Sequence, residues 1–209
     1  MANSDSELRK LVGAIIEGDS AGVSRQLSES PGLARASFQT GATRLTPDEF
    51  LEQIARYIYQ GDTALHIAAA AYQTEMVRKL LAAGANVHAR NRRGQQALHA
   101  ASIGNPSSPR WNPSSQIATI VVLIQAGADP NVIDKSGVAP LHKAVRTRCA
   151  PAVRALLDHG ADPARPNKNG STPTLLAIEN TGRPGSGSPE AKAQQAEIAL
   201  ILEQALKAV

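Results

Sequence analysis

The chain has 209 residues, 42% of them apolar and only 3% aromatic, with a formal net charge of +4 at pH 7. A lone cysteine, Cys149, excludes an internal disulfide and fits a reducing compartment. The opening Met1-Ala2-Asn3-Ser4-Asp5-Ser6-Glu7 has no apolar targeting core, and no apolar run approaches the roughly 18 residues that cross a bilayer, so a cytoplasmic chain without a membrane segment is expected.

Residues 7–34 carry Leu11, Ala14, Gly18, Val23 and Leu27, a spacing that recurs downstream as Leu65, Ala68, Tyr72, Val77 and Leu81. It predicts two antiparallel helices, with Leu33 to Phe38 as a short extended stretch after them. The next segment is about 21 residues longer than the downstream period requires, given that the later units are 33 residues apart. Within it, Thr46-Pro47-Asp48-Glu49 reads as an N-cap, a proline at the first helical position and a capping glutamate. Phe50, Leu51, Ile54, Tyr57 and Ile58 follow at helical spacing, so a helix of about three turns is expected over Pro47–Tyr59. It would cap the first core or add a wall beside it.

Gly61-Asp62-Thr63-Ala64-Leu65-His66-Ile67-Ala68 then begins a repeating pattern. The pattern returns after 33 residues as Gly94-Gln95-Gln96-Ala97-Leu98-His99-Ala100-Ala101. It returns after a further 43 as Gly137-Val138-Ala139-Pro140-Leu141-His142-Lys143-Ala144, and after another 33 as Gly170-Ser171-Thr172-Pro173-Thr174-Leu175-Leu176-Ala177. Ala83-Gly84-Ala85-Asn86, Ala126-Gly127-Ala128-Asp129 and His159-Gly160-Ala161-Asp162 close the units, with glycines suited to cap the second helices. Thr63 is an N-cap candidate, and Pro140 and Pro173 fit the first helical position.

A 33-residue unit bearing T-P-L-H-x-A resembles the ankyrin repeat, and the whole chain resembles the small stand-alone bacterial-type proteins of that family. The resemblance implies an all-α solenoid of about five helix-turn-helix repeats with short β-turn fingers. The expected organisation is a single domain over 1–209. It comprises a capping repeat (7–38), the inserted helix (39–60), repeats at 61–93, 94–136 and 137–169, and a C-terminal capping repeat (170–209). One helix pair cannot bury its own apolar face, so stability comes from stacked neighbours. The resemblance also implies that His66, His99 and His142 hydrogen-bond to backbone between repeats. Stacked helices lie about 10 Å apart, too far for a shared zinc ion held at about 2.0–2.1 Å. No metal and no cofactor are expected.

Three units depart from the pattern in the loop between their helices. The 94–136 unit inserts Gly104-Asn105-Pro106-Ser107-Ser108-Pro109-Arg110-Trp111-Asn112-Pro113, with Ser114 or Ser115 as the next cap. The 137–169 unit has Arg146-Thr147-Arg148-Cys149 where a small residue is usual, and the last unit inserts Asn180 to Pro189. Solenoid insertions often mark a binding face. Arg110, Trp111, Arg146, Arg148 and Arg183 are therefore one candidate set, for a small anion or metabolite. Trp111 either closes over a ligand or pins its loop.

Between Ala85 and Gly170 eleven Lys/Arg stand against four Asp/Glu, whereas the remainder has eleven against fourteen. A basic middle suits an anionic partner, and a solvated surface accounts for it equally well. The family's usual binding face supplies the second candidate set: Arg90, Arg92, Arg93, Lys135 and Lys168, with Arg165, at the fingertips and Lys143 on a first helix. The leading expectation is a monomeric, non-catalytic module that binds an acidic surface of another protein. Two other classes have less in the sequence to support them. A thiol at Cys149 lowered in pKa by Arg148 would be the start of a nucleophile, but nothing brings His159 to it. Nucleic-acid binding has the charge without the interleaved aromatics.

Overall fold

The computed structural model describes residues 2–43, 50–104, 106, 111–178 and 189–207. Among these described residues ten α-helices pair in chain order: α1 (Ala2–Glu17) with α2 (Ser20–Glu29), α3 (Ala64–Ala70) with α4 (Thr74–Ala82), α5 (Ala97–Ala101) with α6 (Pro113–Gln125), α7 (Pro140–Arg146) with α8 (Ala150–Asp158), and α9 (Pro173–Ile178) with α10 (Pro189–Lys207). The first helices stack in one row, α1 on α3 on α5 on α7 on α9, and the second helices in a parallel row, α2 on α4 on α6 on α8 on α10. This is an all-α repeat solenoid.

The core runs continuously along the stack. Leu11, Ile15, Leu65, Ala68, Leu80, Leu98, Ile120, Leu123, Leu141, Val153, Leu156 and Leu202 are all buried within one apolar cluster. Small residues set the helix spacing: Ala64, Ala68 and Ala69 of α3 are fully buried, as are Ala97 and Ala101 of α5. Each of the three steps from α3 to α9 also carries a histidine. The backbone N–H of the residue before each first helix donates to the ring Nδ1 three residues on (Thr63 to His66, Gln96 to His99, Ala139 to His142, each 3.2 Å). Nδ1 is therefore the acceptor, and Nε2–H donates into the next unit: His66 to Gln95 O at 2.9 Å, His99 to Val138 O at 3.0 Å, His142 to Ser171 O at 3.1 Å. Both nitrogens of each ring are committed to backbone.

Between units the chain makes fingers. At each tip a side-chain carbonyl or carboxylate oxygen accepts two backbone N–H groups: Asn91 from Arg93 and Gln95, Asp134 from Ser136 and Val138, Asn167 from Asn169 and Ser171. Successive fingers join through Arg92 N–H to Gln60 O (2.7 Å), Lys135 N–H to Arg93 O (3.0 Å) and Lys168 N–H to Ser136 O (3.1 Å). The approach is close enough to require glycine. A Cβ on Gly94, at φ 76°, would stand 2.9 Å from Lys135 N, and one on Gly137, at φ 74°, 2.8 Å from Lys168 N.

The segment before Gly61 corrects an expectation. The capping box at 46–49 lies outside the described residues. From Phe50 onward the chain is a hairpin: β1 (Phe50–Leu51) and β2 (Arg56–Tyr57) pair antiparallel around a 3-10 turn, Glu52–Ile54, with Ala55 left-handed at φ 49°. The reason lies at the hairpin's base. Ala42 N–H donates to Ile58 O at 2.8 Å, Gly61 N–H to Phe38 O at 2.8 Å, and Phe38 N–H to Asp62 O at 2.9 Å. Tyr59 N–H donates to Asp62 Oδ2 at 2.8 Å, and Ile58 is buried. Residues 58 and 59 are thus claimed by sheet-like pairing and cannot close helical turns. Phe50 and Tyr57, seven apart and apparently on one helix face, instead face each other across the strands with ring centroids 4.8 Å apart.

Candidate binding groove and fingertip row

The hairpin stands beside the first-helix row and encloses a groove of about 370 Å³. Its lining comes from Ile54, Arg56, Tyr57 and Tyr59 on the hairpin side, Tyr72 and Ile103 at the ends of α3 and α5, Arg93 from a finger, and Lys143 of α7. Among the described residues of the insert, Ala42 and Ile58 are deeply buried, whereas Phe50 and Tyr57 stay exposed. The insert is thus both a cover for part of the core and a wall.

Two buried acids anchor the groove's cations. Asp62, fully buried, takes both Oδ atoms to Arg56 at 3.3 Å and accepts from Asn91 Nδ2 at 2.9 Å. Asp134 accepts Gln95 Nε2 at 3.2 Å besides the two finger N–H groups, and its Oδ2 stands 3.9 Å from Lys143 Nζ. Burial raises the Asp134 pKa, but the Gln95, Val138 and Ser136 hydrogen bonds and the Lys143 charge outweigh that and hold the carboxyl below its ordinary value. Lys143 is the reverse case. Burial pushes its ammonium down, Asp134 pulls it up, and the charges of Arg93, Arg146 and Arg56 push it down again, to about 8. Tyr72, whose hydroxyl donates to Ile103 O, is pushed well above its ordinary value by burial.

The fingertip set divides into two kinds. Arg90 reaches Gly94 O at 2.9 Å and Ile133 O at 2.8 Å, so it ties neighbouring fingers together. Arg92 donates to Ala42 O and lies over the Tyr59 ring, 5.3 Å from its centroid. Arg93 covers the same ring at 5.1 Å and donates to the Tyr59 hydroxyl at 3.1 Å; Arg90, Arg92 and Arg93 are all exposed as residues. Lys135 and Lys168 are exposed on the next two fingers. Arg165 lies at the margin of this row, 4.0 Å from Asp162. The finger-to-finger hydrogen bonds bring Arg93, Lys135 and Lys168 into one row, with Lys143 inward of it.

The interhelix edge is put together differently. Arg110 and Arg183 lie outside the described residues. Trp111 Nε1–H donates to Gln116 Oε1 at 2.8 Å, and Gln116 Nε2 donates to Ala101 O at 2.9 Å, so Trp111 pins its loop to the body. Arg146 is exposed at the end of α7, and its charge acts on Lys143 and His142. Arg148 is half-buried with φ at 57°. Asn112, with Pro113 behind it, caps α6 by accepting Ser115 N–H at 3.0 Å; the expected serine caps do not. Cys149 is fully buried, and burial pushes its thiol up to about 11, against smaller downward pulls from Thr147, Gln116 and Gly104. This is opposite to the direction a nucleophile needs. His159 Nδ1–H donates to Ala155 O at 2.7 Å on its own helix. Among the described residues no group of three or more His, Cys, Asp or Glu could hold a metal ion, and no helix is long and apolar enough to cross a membrane.

Stacked helix pairs, a histidine donating into each following unit and glycine-opened fingers define an ankyrin stack. Residues 60–92 match the family described as Ankyrin repeat and residues 113–186 the one described as Ankyrin repeats (3 copies), about half of the chain together. The chain belongs to the ankyrin-repeat family. It is 35% identical over 130 residues to Ankyrin repeat and SOCS box protein 16 of Mus musculus, a match covering 61% of this chain and 28% of that protein. It is 37% identical over 119 residues to the B-cell lymphoma 3 protein homolog of Mus musculus, covering 56% and 25%. It is 34% identical over 113 residues to a putative ankyrin repeat-containing protein of Treponema pallidum (strain Nichols), covering 53% and 34%. The chain thus matches about a quarter to a third of the length of these curated relatives. Ankyrin repeats generally serve as non-catalytic modules of protein–protein interaction.

Proposed function

We propose that this chain is a non-catalytic protein-binding module that receives an acidic surface of another protein along Arg93, Lys135, Lys168 and Lys143. The observation that carries the reading is the fingertip row. The backbone bonds between fingers hold three exposed cations in line, while the acids beneath, Asp62 and Asp134, are buried and already engaged. A row of like charges on a rigid support favours a partner of opposite charge and raises its rate of encounter. Arg90 and Arg92, exposed on the same finger, spend their guanidinium groups on backbone oxygens and tie fingers and hairpin together.

The test is affinity capture with the wild type and with the Lys135→Glu/Lys168→Glu variant, from native lysate at low and high salt. Partners held by this face are retained by the wild type at low salt, released at high salt and absent from the variant, because salt shortens the reach of exposed charges, from about 10 Å at 0.1 M to about 3 Å at 1 M. Equal retention by wild type and variant would refute the reading.

A further inference from the structure

We infer that the groove beside the hairpin takes an extended acidic peptide segment of the partner chain, one carboxylate lying between Arg93 and Lys143 and an adjacent apolar side chain packing on Ile54, Tyr57 and Ile103. The inference rests on the protein-binding reading and names what the partner must present.

Size is the first argument. A cavity of about 370 Å³ falls at the small end of the ~300–1,000 Å³ typical of pockets for compact ligands, so it admits a short run of side chains and not the flank of a globular domain. Charge is the second. Asp62 is saturated by Arg56, Asn91 and Tyr59 N–H, and Asp134 by Gln95 and two finger N–H groups. Lys143 keeps one carboxylate at the long distance of 3.9 Å while it faces Arg93, Arg146 and Arg56. A further carboxylate between Arg93 and Lys143 relieves that repulsion.

The third argument is the mixture of surfaces. Apolar and aromatic groups from Ile54, Tyr57, Ala70 and Ile103 lie beside the cations, and Tyr57 and Ile103 are exposed at the rim. An inorganic anion would leave them uncovered, whereas a peptide covers them with the side chain next to its acid. Nucleic acid fits less well, because the Tyr59 ring on which a base would stack is already covered by Arg92 and Arg93.

The arrangement links binding to protons. The groups facing Lys143 are Asp134, Arg93, Arg146 and Arg56, and the free ammonium loses its proton near pH 8. A bound carboxylate favours the charged form, so the complex takes up a proton and affinity falls as pH rises through about 8.

The experiment uses the full chain, immobilised, with two pooled libraries of end-blocked pentapeptides, one with Glu fixed at the centre and one with Gln; retained peptides are read by mass spectrometry. The Glu pool should be retained at least about tenfold better, the factor one charge-assisted hydrogen bond carries. The enriched peptides should carry an apolar neighbour and bind more weakly at about pH 9 than at about pH 7. Lys143→Met should lose the preference. Lys143→Arg should keep it and lose the pH dependence above 8, because guanidinium does not deprotonate there. Equal retention of the two pools, no retention of either, an unchanged Lys143→Met, or displacement by sulfate or poly-uridine at concentrations that spare the peptide would each overturn the inference. Retained capture of the whole partner by Lys143→Met, with capture lost in Lys135→Glu/Lys168→Glu, would sink the groove and leave the fingertip reading standing.

Discussion

The two long edges of this stack are made of the same kind of material, short polar loops between helices, and they come out differently. On the finger edge the three fingers before Gly94, Gly137 and Gly170 are each tied to a neighbour by a backbone hydrogen bond and to themselves by an Asn or Asp that accepts two N–H groups. On the interhelix edge the described contacts are particular to each loop: Trp111 on Gln116, Gly104 N–H on Thr147 Oγ1, Gln194 Oε1 accepting Ala150 N–H. A periodic set of bonds turns scattered lysines and arginines into a row with fixed spacing. Loops without one give each charge its own local surroundings.

The comparison can be broken most severely at Asp62. Asp62→Ala leaves the half-buried Arg56 guanidinium uncompensated and removes a fully buried acceptor for Asn91 and Tyr59 N–H, so a loss of about 3 kcal/mol is expected in urea unfolding. A loss under about 1 kcal/mol would mean that the hairpin base does not depend on this ion pair.

His99→Ala comes next, at about 1–3 kcal/mol, because Val138 O and Gln96 N–H lose their buried partner. The same ring predicts acid sensitivity. Burial holds His66, His99 and His142 below their ordinary pKa of 6.5, His99 at about 4. The unfolded chain therefore binds more protons in that window. The stability these rings contribute is complete above about pH 6.5 and is lost as pH falls toward about 4. Urea midpoints should decline over this range in the wild type and decline less in His99→Gln.

On the other edge, Arg148→Gly should stabilise by about 1 kcal/mol, since a side chain at φ 57° carries a left-handed penalty of about 1–2 kcal/mol that glycine does not. A lowered melting temperature would show that the arginine's contacts outweigh its backbone. The smallest effect belongs to the exposed row: Lys135→Glu/Lys168→Glu should change stability by no more than about 0.5 kcal/mol per site, so that lost capture is attributable to binding.

The stack itself was legible because its signals repeat. Leu65, Leu98 and Leu141 recur with their histidines, and a period needs no knowledge of contacts. The hairpin was not, because Phe50, Ile54 and Ile58 satisfy a helical spacing while Phe50 and Tyr57 satisfy a cross-strand pair equally well, and nothing local decides between them. One signal was available. Asn91, Asp134 and Asn167 each stand three residues before a finger glycine, but the matching position before Gly61 is Ile58. That finger therefore needed another acceptor, and Asp62 beside it was the obvious one. Lys143 was named from its register, but its engagement with Asp134 depends on how α7 meets the preceding finger. The surroundings of Cys149 were not legible, because its sequence neighbour is an arginine while its spatial neighbours are Gly104 and Thr147.

The pairing of Ala42 with Ile58 and of Phe38 with Gly61 and Asp62 has a consequence for what this chain tolerates. The two helical rows stack on one another without the insert, and beyond that base the described hairpin touches the body through a few side chains, Leu51 and Ile54 on the core and Arg56 on Asp62. The turn at Glu52–Ala55 can therefore be shortened, lengthened or exchanged while the backbone bonds that hold the row of cations stay in place. Variation in that hairpin would re-tool what the groove accepts without re-founding the protein.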